Sequence, residues 1–308
     1  MDLSQFEYVI AIAEEGSVSK AAERLFISQS ALSQYLLKLE KSLGVKLFKR
    51  INRKLILNYA GECYIKAAKD ILIIRKNLLK SLDDVSDSKK GRFSMGVTPG
   101  RGIDLFSSTY PKFYEKYPDV EINVLEIRSS KSLEQMLLQG RIDIATVSTK
   151  TFENDLKYEF ISRDEIVFII RKDHKYAHLS YAASGKRLSI KDLMIFNDEK
   201  FVSVSKNSTL RSRIDSLLQE ACLTPKIIFE MPTLPMVGRL VEAGLGVGFS
   251  FHPYTKDLKD VVEIYLEPQF TRCLWAAYHK DSYLSVSELY YINLLKEYNA
   301  INNPESTQ

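Results

Sequence analysis

One pattern near the start of the chain limits the fold most. A short helix carries two adjacent small residues, Ala21 and Ala22; a tight turn, Phe26-Ile27-Ser28, follows; then comes a longer helix with one polar face. Small side chains at Ala21 and Ala22 let a second helix approach closely. Ser28 is placed to cap the helix from Gln29 to Leu43, because its hydroxyl can accept an orphan N–H of the first turn. Ala31, Leu32, Leu36, Leu39 and Leu43 read as that helix's apolar face, with Gln29, Ser30, Ser33, Gln34 and Lys38 on the other. A preceding helix, 2–14, is expected to be capped by Asp2 and to bury Phe6, Val9, Ile10 and Ala13. Two short helices joined by a tight turn, the second polar outside, describe a helix-turn-helix.

Charge follows the same division. Residues 1–90 hold 16 Lys and Arg against 11 Asp and Glu, whereas the remainder holds 27 against 28. Within 38–54, seven basic side chains stand against Glu40 alone. Such a focus suits a phosphate backbone, and equally a solvated basic face. Residues 46–57 read as two short strands around Asn52, a basic wing. In a helix-turn-helix the second helix enters the major groove and reads base edges with its N-terminal residues. Gln29 and Gln34 have the chemistry for bidentate bonds to adenine, and Ser30 and Ser33 for bases or phosphates. Lys38, Lys49, Arg50 and Arg53 are the expected phosphate contacts.

The run Phe6…Ala21-Ala22-Glu23-Arg24-Leu25…Ser28-Gln29-Ser30-Ala31-Leu32-Ser33…Leu39-Glu40…Leu43-Gly44-Val45-Lys46-Leu47-Phe48-Lys49-Arg50…Ala60-Gly61 resembles the winged helix-turn-helix of LysR-type transcriptional regulators. Three departures stand out: Ser30 where that family usually has Pro, Gln34 where Arg is common, and Asn58-Tyr59 for the usual Thr-Pro. The resemblance implies a sequence-specific DNA-binding regulator that reads a pseudo-palindromic operator as a homodimer or homotetramer, with RNA polymerase as a possible further partner.

From Tyr59 to Val85 a long helix is expected. Ile65, Leu72 and Leu79 repeat every seven residues, as do Ile71, Leu78 and Val85, which argues for a helix–helix dimer. Ile65, Leu72, Leu78 and Leu79 are the expected dimerisation residues. Polar residues 83–91 read as a hinge.

Beyond it, strand and helix patterns alternate, as in an α/β unit with mostly parallel strands. Strands are expected at 93–97, 120–125, 142–147, 158–161, 165–170, 227–230, 249–251, 261–265 and 273–278. Helices are expected at 103–117, 132–138, 208–221, 234–243 and 285–298. This order resembles the periplasmic-binding-protein-like effector part of LysR-type regulators, through landmarks such as Tyr117-Pro118-Asp119-Val120, Gly140-Arg141-Ile142-Asp143-Ile144-Ala145 and Gly244-Leu245-Gly246-Val247-Gly248. The resemblance implies the following division: head 1–58, linker 59–90, subdomain I from 91–162 with 268–300, subdomain II from 163–267, and a tail 301–308. A ligand cleft lies between the subdomains.

Ligands in open α/β folds sit outside the carboxyl ends of strands. Thr98, Pro99, Arg101, Arg128, Ser129, Ser130, Thr146, Ser148, Val202, Ser203, Val247 and Gly248 are therefore the expected effector residues. Their hydroxyls and arginines, with helix-start amides, suit a small anionic co-inducer; for Arg128 a solvent-facing role is an equal reading.

Other classes fit less well. The glycines at 244, 246 and 248 follow a helix and precede a strand, the reverse of a phosphate-cradling loop. His174 and His178 lack a third ligand, so neither metal nor cofactor is expected. Cys63, Cys222 and Cys273 show no redox spacing, and Cys222 reads as a buried, inert thiol. With no export leader and no long apolar run, a cytoplasmic protein that is not an enzyme is expected, and no membrane partner. A solute-binding protein and an enzyme with a DNA-binding head remain the alternatives.

Overall fold

The computed structural model describes residues 4–52, 54–87, 90–206 and 209–302. Asp2, Arg53, the start of the helix expected at 208 and the tail beyond 302 lie outside the described residues. Helices α1 (Ser4–Glu15), α2 (Val18–Arg24) and α3 (Gln29–Leu43) pack around Phe6, Val9, Ile12, Ala21, Ala22, Leu32, Leu36 and Leu39. Ser28 caps α3, accepting the Ala31 N–H at 3.2 Å, and Gly44 ends it in the left-handed region. Ser17 caps α2. Ala31 and Leu43, expected on the buried face of α3, are exposed: Ala31 sits in the first turn, clear of α1 and α2, and Leu43 in the last.

Strands β1 (Phe48–Ile51) and β2 (Lys54–Leu57) form an antiparallel wing, turned at Asn52 with φ 47°. Glu40, the acid among the basic residues 38–54, points inward. It accepts the Leu47 N–H at 2.8 Å and pairs with Lys46 at 2.8 Å, so it fixes the wing to α3 and leaves the outer face basic.

Asn58 then starts α4 (Tyr59–Asp87): its Oδ1 accepts the Gly61 N–H at 2.9 Å and its amide donates to the Lys46 carbonyl at 2.8 Å. A Cβ at Gly61 would overlap the Leu47 carbonyl oxygen, so this glycine lets α4 lie against the wing. Two expected seam residues are corrected here. Ile65, 8% exposed, belongs to the head's own core, and Leu72 packs against that core. The face left uncovered carries Ile71, Ile74, Leu78, Leu82 and Val85, with Leu79 beside it. The heptad repeat is real, but its first turns serve the head. The expected hinge is also mostly regular, since α4 continues to Asp87 and the next strand begins at Lys90; residues 88 and 89 lie outside the described residues.

The remainder comprises β3 (Lys90–Val97), α5 (Arg101–Lys116), β4 (Asp119–Glu126), α6 (Ser130–Leu138), β5 (Ile144–Val147), β6 (Leu156–Arg171), α7 (Tyr181–Ser184), β7 (Leu188–Ser189), β8 (Lys200–Val204), α8 (Thr209–Glu220), β9 (Lys226–Met231), α9 (Leu234–Glu242), β10 (Val247–Phe251), β11 (Val261–Ile264), β12 (Leu266–Glu267), β13 (Thr271–His279) and α10 (Val286–Asn302). The main sheet runs β4-β3-β5-β13-β6-β10-β8-β9, with β11 also on β6. Strands β4, β3 and β5 are parallel, as are β10, β8 and β9; β13 and β6 cross antiparallel between the two sets.

The two strands expected at 158–161 and 165–170 are thus one strand of 16 residues. Its first half pairs with β13 and its second with β10 and β11. Each half has its own core, one around Phe93, Phe113 and Tyr291, the other around Phe168, Phe196 and Phe249.

Candidate functional site

Two regions gather the expected site residues. The first is the outer face of the head. Gln29, Ser30, Gln34 and Lys38 are exposed on α3 and Ser33 is half-buried, while Lys49 and Arg50 are exposed on β1. Ser30, in the place of the family's usual proline, lies with its hydroxyl 3.1 Å from that of Ser28. Polar groups that can read bases are thus exposed on α3 and basic groups on β1, with α3 held at its start by a cap worth about 1 kcal/mol.

The second region lies where the two parallel sets of strands meet. Strand β3 leads into α5 through Thr98-Pro99-Gly100, and β4 leads into α6, whose N-cap Ser129 accepts the Ser132 N–H at 3.2 Å. Ser130 Oγ accepts the Ser148 N–H at 3.0 Å, which ties the start of α6 to the end of β5. A Cβ at Gly102 would stand 2.8 Å from Thr146 Oγ1 and 3.1 Å from Thr98 Oγ1. Both hydroxyls thus converge on the first turn of α5, where helix N–H groups lack intrahelical partners. Thr146 is fully buried, and among the described residues its hydroxyl has no hydrogen-bond partner.

Charge at this place is arranged around Asp164. Arg101 Nε lies 3.2 Å from Asp164 Oδ2, and an Arg272 terminal nitrogen lies 3.2 Å from the same oxygen. Ser162 donates to the other oxygen at 3.0 Å. Asp164 and Arg101 are buried. The Arg272 guanidinium stacks 3.9 Å from the centre of the Phe251 ring, and its buried Nε has no partner among the described residues. Two guanidinium groups share one carboxylate, with Arg101 reaching a second, exposed one at Asp104, 3.2 Å away. Burial, and then the charge of Arg272, push the Arg213 guanidinium below its ordinary value. Burial pushes the Tyr254 phenol well above its usual range; its hydroxyl lies 3.3 Å from where a Cβ on Gly100 would stand.

The structure brings together Thr98, Pro99, Arg101, Ser129, Ser130, Thr146 and Ser148, and leaves Arg128 exposed at the surface. Val202, Val247 and Gly248 do not join this group. These are strand positions: Val202 and Val247 are buried in the second core, Gly248 pairs with Val202, and a Cβ on Gly248 would press the Val202 carbonyl. Ser203 is likewise inside β8. Residues 202–205, expected at a strand end, fall mostly inside β8. Asp164, Arg272, Phe251 and Tyr254 were missed. Paired charges inside a strand look, in sequence, like a break between strands. Cys222 is exposed rather than buried, because it lies past the end of α8 with φ 55°.

Known proteins match both parts of the chain. The family model "Bacterial regulatory helix-turn-helix protein, lysR family" matches residues 3–62, and "LysR substrate binding domain" matches 86–300. A relative from Trieres chinensis described as "Probable RuBisCO transcriptional regulator" is 30% identical, over 80% of this chain and 79% of its own. A full-length OxyR point variant from Pseudomonas aeruginosa has a similar fold, with TM-score 0.66 at 20% identity over 100% of this chain and 98% of its own. The effector-binding domain of QuiR in complex with shikimate gives TM-score 0.51 at 21% identity, covering 68% of this chain and 97% of that one. With both parts matched, the chain belongs to the LysR family of transcription regulators, which are regulators and not enzymes.

Proposed function

We propose that this regulator binds a pseudo-palindromic operator as a homodimer within a homotetramer, and that a small anionic co-inducer in the cleft alters the spacing of its DNA-binding heads. Gln29, Ser30, Ser33 and Gln34 read base edges; Lys38, Lys49, Arg50 and Arg53 hold phosphates. Two recognition helices roughly 34 Å apart would meet successive major-groove faces, joined through the exposed stripe Ile71, Ile74, Leu78, Leu82 and Val85 of α4. The division into head 1–58, linker 59–90 and two subdomains follows from this reading. Altered head spacing changes DNA bending or contact with RNA polymerase, in the bacterial cytoplasm. Among the described residues, no helix is long and apolar enough to cross a membrane.

One observation carries the effector reading: the buried, unpartnered Thr146 hydroxyl converges with Thr98 on the start of α5, beside two arginines that share one buried carboxylate. A buried hydroxyl without a partner costs about 1–3 kcal/mol, and a ligand oxygen would relieve it. A small carboxylate such as shikimate, the molecule in the QuiR complex, has oxygens that suit this chemistry.

The test is fluorescence anisotropy of the full chain with the duplex upstream of its own gene and with a scrambled duplex, at two salt concentrations. Preference for the native duplex that survives higher salt supports a sequence-specific regulator. Loss of all binding at low salt would overturn it.

A further inference from the structure

The turn between α2 and α3 holds a residue whose side chain packs on nothing among the described residues. Phe26 is 96% exposed, the most exposed large apolar side chain among the described residues. Its backbone is left-handed, φ 56°, a conformation that glycine adopts freely and that brings a Cβ against the following carbonyl. The turn is over-determined by its neighbours: the Phe26 N–H donates to Glu23 O at 3.2 Å and the Ile27 N–H to Ala22 O at 3.0 Å. This is the pattern in which a helix commonly ends on glycine. The position thus carries a bulky apolar side chain that is disfavoured both by conformation and by exposure in the free protein. Backbone strain of this kind concentrates where a partner is met.

Place identifies the partner. Phe26 stands two residues before the N-cap Ser28 and three before Gln29, so its Cα lies at most about 11 Å from that of Gln29. The start of α3 just beyond it, Gln29, Ser30 and Ala31, is exposed as well. A phenyl ring cannot pair with phosphate. In the major groove the apolar group offered by base edges is the C5-methyl of thymine, and phenylalanine is among the side chains that meet it.

We propose that Phe26 is a specificity-determining DNA contact, packing its ring on the C5-methyl of a thymine at the edge of each half-site. The inference rests on α3 being the recognition helix, and it adds a contact from the turn ahead of that helix. It makes the head prefer thymine at one fixed position per half-site, beside any adenine read by Gln29 or Gln34.

The experiment uses the full chain and an operator duplex enriched by it from a random pool. Each thymine is replaced in turn by deoxyuridine, which removes the methyl and leaves pairing intact. At one position per half-site the parent protein should lose about fourfold in affinity, the worth of one buried methyl. Phe26→Ala should lose about as much on the thymine duplex and be indifferent to deoxyuridine there. Phe26→Gly should lose the same affinity while its thermal unfolding temperature stays equal or rises, which separates a lost contact from a damaged fold. Indifference of the parent protein to every deoxyuridine overturns the proposal, as does an equal loss by Phe26→Ala on both duplexes. So does a changed oligomeric state with unchanged DNA affinity. Failure to enrich any duplex would instead overturn the DNA-binding reading itself.

Discussion

Lys80 of α4 and Asp143, just before β5, lie 2.5 Å apart, nitrogen to oxygen, and join the linker helix to the substrate-binding domain. Lys80 also reaches Glu288 at 2.6 Å, and Lys76 reaches Asp143 at 2.8 Å. Further along, Asp84 accepts from the Tyr283 hydroxyl at 3.0 Å and Asn77 donates to the Asp281 carbonyl at 2.6 Å. Whatever moves this part of the α/β unit therefore moves the C-terminal half of α4. Replacing Lys80 by Met leaves two carboxylates buried together, so a loss of about 3 kcal/mol in urea unfolding is expected. Faster amide exchange over 72–87 should accompany it. Unchanged exchange there would show that α4 is held by other means.

The same pair sets an acid limit. Burial acts to raise the Asp143 carboxyl, but the charges of Lys80 and Lys76, with their hydrogen bonds, outweigh it and hold the group at about 2. Because the folded value lies below the unfolded one, the stabilisation is complete above the unfolded value and is lost as pH falls towards 2. The amount is about 2 kcal/mol. The stability gap between the parent and Asp143→Asn should accordingly be constant above pH 5 and narrow between pH 4 and 2. A gap that stays constant to pH 2 counts against the assignment.

Roles on the DNA surface separate by salt. Gln34→Ala should lower preference for the operator over random duplex, since a good bidentate base contact is worth about 1–3 kcal/mol. Lys49→Ala should weaken both duplexes alike and reduce the salt slope by about one ion. If both variants give the same profile, base reading and phosphate contact are not divided between α3 and the wing.

The helix seam can be tested by contrast. Ile74 is 66% exposed on the outer stripe, whereas Ile65 lies in the head core. Ile74→Glu should dissociate the dimer in analytical ultracentrifugation while the head stays folded. Ile65→Ala should leave association intact and destabilise the head by about 2–4 kcal/mol. A dimer that survives Ile74→Glu would place the interface elsewhere.

These contrasts mark how far the sequence could be read. The head was legible because the Ser28 cap, the Ala21-Ala22 pair and the Leu32, Leu36, Leu39 spacing are local signals that agree. The seam was half legible: period seven identifies a stripe but not which turns of it the chain's own core consumes, as Ile65 shows. The cleft was least legible. Thr98 and Thr146 could be found by following strand ends, but Asp164 and Arg272 meet across 108 positions inside paired strands. The polar run Ser162-Arg163-Asp164 reads as a break in β6, although Asp164 is paired there with Arg101, Arg272 and Ser162. Val202 and Gly248 misled for the opposite reason, since a short buried strand without flanking signals reads as loop.

Thr146 offers the sharpest test of the cleft. Replacing it by Val keeps the shape and removes the hydroxyl that has no partner among the described residues. For a group of structural use alone, that change costs stability. For a group kept for a ligand, stability should hold or rise by about 1 kcal/mol, because an unsatisfied buried oxygen is gone. Affinity for the effector should fall about tenfold, the loss of one hydrogen bond to a charged group. Carboxylates including shikimate, titrated by thermal shift against the parent chain, Thr146→Val and Arg272→Ala, provide the measurement. A ligand that stabilises the parent and neither variant fixes its site beside α5. One that stabilises all three equally binds elsewhere, and the buried hydroxyl is then only a cost the fold tolerates.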